Sequence, residues 1–516
     1  MEGAGGQGSL QERRGRFIGF SYLVNIAVLL RSLGMVVLLL GAAMVFSVLL
    51  AWIIPTGERH NTGLDLKGWT LCLGIAVSVG GGLWGTGKYL GKRSSRPDTM
   101  RRREAMALVG SGWFVCGLMA ALPYCLCEPH ETLPNALFEA VSGLTTTGAT
   151  IFSNLESLPK SILMWRSVTQ WVGGMGILAM FVVVLSGMTS SSKTLIGAES
   201  SLANSDISSL RQTMRRLWAL YVVLTLVCGT GLYFLGLTPF QAINYSLTAV
   251  STGGFGTESD SVGSIFTVWS KSWLIIFMII GAISFPFYLV LMRGRFNDLG
   301  KRFEEVWWFL AMIGFFCVVM LLQKLGGGSD VAAIDLVFNI VSIGTCTGYV
   351  SDDYDHWSRM GVGIMLFLMM IGGCSGSTSG GLKVSRIILW FRFMASGLVR
   401  SFRPQAVSPV KLNGRQVPDE AQSQLFLVLT LFGFFGITGT MAFQMFDPGH
   451  SLMGAVSGII SCLGNIGPAF EEMGPTESVH DISSPSKILF ACLMILGRLE
   501  YVALLVIFVP KLWKRY

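Results

Sequence analysis

Four short stretches of this 516-residue chain, roughly a hundred residues apart, place a glycine in the same setting. They read Thr145-Thr146-Thr147-Gly148-Ala149, Ser251-Thr252-Gly253-Gly254-Phe255, Thr345-Cys346-Thr347-Gly348-Tyr349 and Gly464-Asn465-Ile466-Gly467-Pro468. Six positions before each central glycine stands a small hydroxyl residue: Ser142, Thr248, Ser342 and Ser461. That spacing selects Gly254 rather than Gly253 as the second member. Backbone carbonyls are neutral ligands that can be stacked in rings and so replace the hydration shell of a cation. Turning successive carbonyls toward one axis needs φ values that glycine adopts without a Cβ clash. The candidate ion-binding residues are therefore Thr146, Thr147 and Gly148; Thr252, Gly253 and Gly254; Cys346, Thr347 and Gly348; and Asn465, Ile466 and Gly467. The four hydroxyls are expected to tie each turn to the helix before it through bonds to the backbone.

Two other features invite chemistry. Between residues 372 and 381 stand five glycines, Gly372, Gly373, Gly376, Gly380 and Gly381, with Ser375, Ser377, Thr378 and Ser379 between them. Almost no helix former is left. No strand precedes the run and no Gly-Lys-Ser/Thr follows it, so a phosphate-binding loop is excluded. At membrane depth it reads as an unwound segment able to block or clear a pore. Arg498 falls in the middle of the apolar run 486–510, where a charge costs several kcal/mol on most scales. Glu500, two residues on, faces another side of a helix, so Arg498 has to find partners elsewhere. Lys383 and Arg386, just past the glycine run, are expected to mark the cytoplasmic interface.

The elements that must position these residues follow from composition. The chain is 52% apolar and 13% charged, with mean hydropathy +0.59, against about 25% charged residues in a soluble domain. It reads as a polytopic membrane protein. Runs long enough to cross a bilayer lie near 33–54, 68–86, 105–127, 161–186, 213–236, 270–292, 305–323, 358–395, 422–445 and 486–510. The run 358–395 is too long for one helix and is broken by the glycines. The half-length segments 135–146, 239–252, 332–346 and 450–465 are too short to span and suit re-entrant helices. Net charge is +8, and the basic residues gather in the gaps 87–104, 187–216, 293–304 and 396–421, while all five histidines fall in the other gaps. By the positive-inside bias both termini are cytoplasmic and the glycine turns open outward. The ten cysteines lie mostly inside apolar runs and read as small packing residues. No cleavable signal peptide is evident, and residues 1–16 read as a cytoplasmic tail.

The fold class expected is all-α and polytopic: residues 17–104 with two extra N-terminal transmembrane helices and a basic loop, then four helix–pore loop–helix repeats over 105–190, 213–293, 305–396 (with the intramembrane loop) and 422–516. A solute carrier with broken helices predicts inverted two-half symmetry and acids within spans, which this pattern lacks. A membrane enzyme needs clustered His, Asp or Glu at membrane depth. The chain is not expected to be an enzyme.

These motifs resemble the Trk/Ktr/HKT superfamily of potassium transporters, and the bacterial Trk-type pore subunit most closely. Residues 142–150 are similar to the family's first filter, Gln170-Trp-Val-Gly-Gly-Met-Gly-Ile177 to the helix that follows, residues 372–383 to its third-repeat gate, and Asn465-Ile-Gly-Pro468 with Gly497-Arg-Leu-Glu500 to its fourth repeat. The resemblance implies four repeats around a pseudo-fourfold pore, with the 372–381 loop as gate and Arg498 as a positive latch holding it through its carbonyls. It implies K+ as the transported and filter-bound ion, with no organic cofactor in this chain. Sodium-passing relatives often carry serine at the first filter glycine. All four positions are glycine here, which favours potassium over the alternative of sodium or mixed monovalent cations. It also implies a homodimer in the cell (inner) membrane and a separate cytoplasmic nucleotide-binding regulatory ring docked on basic loops such as 293–304 and 396–421. Lipid is expected as surroundings, and nucleic acid is not a partner.

Overall fold

The computed structural model describes residues 25–55, 65–93, 102–187, 207–294, 299–300, 302–327, 330–405, 409–475, 477–505 and 508. The tail expected over 1–16 and stretches of the basic gaps, at 94–101, 188–206, 295–298 and 406–408, lie outside the described residues. Two long helices come first, α1 (Ile26–Ile53) and α2 (Leu66–Arg93). They pack closely. A Cβ on Gly34 would stand 2.5 Å from the Trp84 amide nitrogen and 2.6 Å from the Gly80 carbonyl. Small residues set helix separation in this way where lipid removes the hydrophobic drive to association.

The remaining helices follow one order four times: long helix, short helix, turn, returning helix. First come α3 (Arg102–Leu126), α4 (Leu133–Leu144) and α5 (Lys160–Gly187). Next are α6 (Ile207–Phe234), α7 (Pro239–Val250), and α8 (Val268–Ala282) with α9 (Phe285–Leu291). Then α10 (Glu304–Leu325), α11 (Ala333–Gly344), α12 (Arg359–Ile371) and α13 (Val384–Phe402); finally α14 (Asp419–Phe446), α15 (Leu452–Gly464), α16 (Ser484–Arg498) and α17 (Val502–Leu505). Each short helix packs against the long helix before it, its own returning helix, and the returning helix of the preceding set. Thus α4 touches α3, α5 and α16, α7 touches α6, α8 and α5, α11 touches α10, α12 and α8, and α15 touches α14, α16 and α12.

Local chemistry starts these short helices where they start. A proline stands in the first turn of α4 and of α7, where its missing N–H has no intrahelical acceptor to lose. Thr238 and Gln241 close a capping box on α7, and the Ser451 hydroxyl accepts the Gly454 amide at the head of α15. At 12 or 13 residues each, none of the four is long enough to span a bilayer.

The chain is an all-helical, multi-span membrane protein. Among the described residues, six helices (α1, α2, α3, α6, α10 and α14) are long and apolar enough to cross a membrane, and α8 with α9 makes a seventh if the pair is one span. Two expected spans differ from uniform helices. The run 270–292 bends by 96° between α8 and α9, where Pro286 cannot continue the helix. The run 486–510 stops at Arg498, because Glu500 and Tyr501 take left-handed φ values of 52° and 63°. Arg498 is therefore the last residue of a helix and not the middle of one. The expected break in 358–395 falls between α12 and α13. Among the described residues the only sheet is a hairpin, β1 (Lys411–Leu412) with β2 (Arg415–Gln416). Its turn pair Asn413-Gly414 has φ of 52° and 74°, the geometry Asn-Gly hairpins favour.

Candidate ion-binding ring and the loop beside it

The four glycine turns share one backbone conformation. Thr146, Thr252, Cys346 and Asn465 have φ between 51° and 54°, and two residues on, Gly148, Gly254, Gly348 and Gly467 have φ of 90°, 81°, 83° and 109°. Gly254, not Gly253, carries the positive φ of the second turn. The turns also meet in a cycle. A Cβ on Gly148 would lie 2.3 Å from the Gly253 carbonyl oxygen; on Gly254, 2.1 Å from that of Thr347; on Gly348, 1.9 Å from that of Ile466; and on Gly467, 2.5 Å from that of Thr147. Each central glycine thus abuts the carbonyl preceding the next central glycine, and the fourth returns to the first. The backbone conformation and the missing Cβ are both required here. A cavity of ≈ 90 Å³ is lined by all four central glycines and by residues that follow them, including Thr150, Phe255, Glu258 and Glu477.

The tie to the short helices is made by the backbone. The amides of Thr147, Gly253, Thr347 and Ile466 donate to the carbonyls of Ser142, Thr248, Ser342 and Ser461, at 2.8 to 3.0 Å. The hydroxyls themselves do not act alike, which corrects the uniform role expected of them. Ser142 Oγ donates to the Ala149 carbonyl, and Ser461 Oγ accepts the Gly467 amide. Thr248 Oγ1 bonds the Asn244 carbonyl and the Tyr349 hydroxyl of the next turn, and Ser342 Oγ has no partner among the described residues. The shared feature is therefore the backbone bond, and the hydroxyl oxygen is engaged in three of the four turns.

The loop from Gly372 to Lys383 leaves and re-enters at one point, because the Lys383 amide donates to the Ile371 carbonyl at 2.9 Å. Gly372, Gly376 and Gly381 have φ of 79°, 75° and 76°. Gly372 faces Gly380 across the neck, with room for no Cβ (2.4 Å to the Gly380 carbonyl oxygen). The Gly373 amide donates to Ser379 Oγ. The loop lies against the ends of three short helices: Thr378 Oγ1 donates to the Val250 carbonyl (3.1 Å), Ser379 Oγ to the Thr345 carbonyl (2.8 Å), and Gly380 abuts the Gly464 carbonyl. Ser375, Ser377, Thr378 and Ser379 are all buried.

Arg498 Nη1 donates to the Thr378 carbonyl at 2.9 Å, while its Nε and Nη2 have no partner among the described residues. Sequence reasoning missed several members of this cluster. Glu305, in the first turn of α10, accepts the amides of Ser375 (2.6 Å) and Ser385 (3.2 Å) through one oxygen. Lys383, expected at an interface, is buried and holds the Ser379 carbonyl through Nζ, and Arg386 pairs with Glu500. Behind the first two turns, Glu139 and Arg166 were missed as well, and Gln170, named only as the start of the motif 170–177, was not assigned to the ring; all three are buried. A charge inside an otherwise apolar half-segment or span was the available signal for Glu139 and Arg166.

The sequence pattern of the TrkH family, described as a cation transport protein, matches residues 83–326 and 327–515. The chain is 30% identical over 492 residues, 94% of its length and 98% of the relative's, to the Trk system potassium uptake protein TrkH of Salmonella typhimurium. It is 31% identical over 510 residues, 95% and 100% of the two lengths, to the protein of the same description from Halomonas elongata. The crystal structure of the potassium transporter TrkH from Vibrio parahaemolyticus is similar at a TM-score of 0.81 and 26% identity, covering 95% of this chain and 99% of that one. With matches over nearly its whole length, this chain belongs to the TrkH family of cation transport proteins, and it is a transporter and not an enzyme.

Proposed function

We propose that the protein takes up potassium across the cell (inner) membrane through a single pore, in which the four glycine turns form a carbonyl-lined filter and the 372–381 loop is a gate. The four repeats of residues 105–190, 213–293, 305–396 and 422–516 surround a pseudo-fourfold axis, and α1 and α2 stand outside it. The observation that carries this reading is the closed cycle in which each central glycine abuts the carbonyl before the next. Non-helical backbone at membrane depth is tolerable only where it is buried in protein or lines water, and a ring of carbonyls is a cation site. The short helices point their C-terminal ends toward the ring, adding partial negative charge that favours a cation. K+ is the cargo and the filter-bound ion, with Thr146–Gly148, Thr252–Gly254, Cys346–Gly348 and Asn465–Gly467 as its ligand segments. The ring is built of four unequal turns, all with glycine at the central position, which supports potassium with moderate discrimination against sodium.

The loop lies against the ends of three short helices, and Arg498 holds its Thr378 carbonyl while placing a positive charge where a cation would have to pass. Loop and arginine together form a barrier that has to move for flux. The distribution of basic residues supports cytoplasmic termini. The relatives are described as components of a Trk system, which supports assembly with partner subunits: a homodimer of this chain and a nucleotide-binding ring on its basic loops. Expression in a cell lacking potassium uptake tests the function. Growth at low potassium is expected; no growth, with the protein verified in the membrane, overturns it.

A further inference from the structure

The returning helix α5 meets the ring differently from α8 and α16. Gly173 crosses the end of α4, its Cβ position 1.9 Å from the Leu144 carbonyl oxygen; Gly281 crosses α7 at 3.0 Å from that of Val250; Gly497 crosses α15 at 2.2 Å from that of Leu463. Three and seven residues before these glycines stand Met278 and Leu274 in α8, and Met494 and Phe490 in α16, all buried and apolar. In α5 the same positions hold Gln170 and Arg166.

Both grip the backbone of the ring. Gln170 Nε2 donates to the Gly253 carbonyl, and its Oε1 accepts the Phe255 amide at 3.1 Å. Arg166 Nη1 donates to the Gly256 carbonyl at 3.0 Å, Nη2 to Thr150 Oγ1 at 3.1 Å, and Nε to Glu139 Oε1 at 2.7 Å. The guanidinium also lies 4.0 Å from the centre of the Phe255 ring. Glu139 completes the frame by accepting the Ile151 amide at 2.9 Å and the Thr150 hydroxyl. A buried ion pair adds little net stability over well-packed apolar residues, and α8 and α16 manage with apolar residues at these positions. Stability alone does not account for the polar pair.

We infer that Arg166 and Gln170 are specificity-determining positioning residues, a brace fixing the separation of the first and second ring segments so that the ring does not close onto an ion smaller than K+. Arg166 spans the two segments, from Thr150 to Gly256; Gln170 pins the second on both sides of Gly254. Selectivity among monovalent cations depends on how many carbonyls face the ion and how freely they move inward. The brace restrains that movement at one of the four joints. The inference rests on the reading of the ring as a potassium filter.

The test is the K+/Na+ permeability ratio, from reversal potentials of the full chain in planar bilayers, for Gln170→Met and Thr150→Val. The first installs what α8 and α16 carry; the second removes the hydroxyl through which Arg166 holds the first segment. Each is expected to keep potassium current and lower the ratio by about fivefold, the scale of one lost hydrogen bond. A merely structural role would lower protein yield or current and leave the ratio unchanged. Either variant conducting with the wild-type ratio overturns the inference, and Thr150→Val decides alone if Gln170→Met does not reach the membrane. A wild-type protein that passes no potassium counts instead against the filter reading.

Discussion

Arg498 and Thr378 are joined by a 2.9 Å hydrogen bond from Nη1 to the carbonyl oxygen, which ties the last residue of α16 to the middle of the glycine loop. This contact crosses from the fourth returning helix to the third and is the one described hydrogen bond of the guanidinium. Arg498→Ala removes both the tether and a buried positive charge. Rubidium uptake into proteoliposomes is expected to rise by about tenfold, since a hydrogen bond to a charged group contributes about 1.5–3 kcal/mol. Unchanged flux would sink the latch.

Glu305 holds the same loop at Ser375, with one carboxylate oxygen accepting the Ser375 amide and that of Ser385 at the start of α13. Glu305→Gln weakens both bonds by removing their charge assistance. Flux is expected to rise here too. Combined with Arg498→Ala, the increase should fall short of the product of the two single effects, because both residues act on one element. Fully multiplicative rates would separate Glu305 from the gate.

Gly148 has φ 90°, and its Cβ position is 2.3 Å from the Gly253 carbonyl oxygen. Gly148→Ser forces that carbonyl out of place and strains the turn. The K+/Na+ permeability ratio is expected to fall by about tenfold, equivalent to about 1.4 kcal/mol of differential stabilisation. A preserved ratio would mean that this joint does not select.

Asp355, in the loop between α11 and α12, accepts the Glu471 amide at 2.9 Å and so links the third and fourth units outside the spans. Burial, then the neighbouring Asp353 and Glu471 carboxylates, push its carboxyl up to about 6 from 3.8, against the lowering effects of that amide and of His356. A raised folded-state value contributes stability that is fully present below pH 3.8 and is lost as pH rises through about 6. The purified protein should therefore melt at a higher temperature at pH 5 than at pH 7.5. Asp355→Asn should flatten that difference; an equal slope in the variant would assign it to other groups.

Much of the helical plan was legible because length and apolar periodicity are properties of contiguous residues. The half-length segments expected at 135–146, 239–252, 332–346 and 450–465 are helices Leu133–Leu144, Pro239–Val250, Ala333–Gly344 and Leu452–Gly464. The unwound stretch at 372–381 was legible because its composition leaves no helix to form. Partners distant in sequence were not. Gln170 meets Gly253, and Glu305 meets Ser375, only after the helices pack. The end of α16 at Arg498 also escaped, because Leu499-Glu500-Tyr501 contains neither glycine nor proline to signal its left-handed turn, and Glu500 pairs with Arg386, a residue distant in sequence.

We propose above all that the four glycine turns select potassium. The most direct test is the reversal potential of the wild-type chain in a planar bilayer with potassium chloride on one side and sodium chloride at equal concentration on the other. A reversal potential strongly positive on the sodium side, the voltage that halts net potassium flow, is predicted. A reversal at zero would contradict the claim, because the ring would then treat the two ions alike.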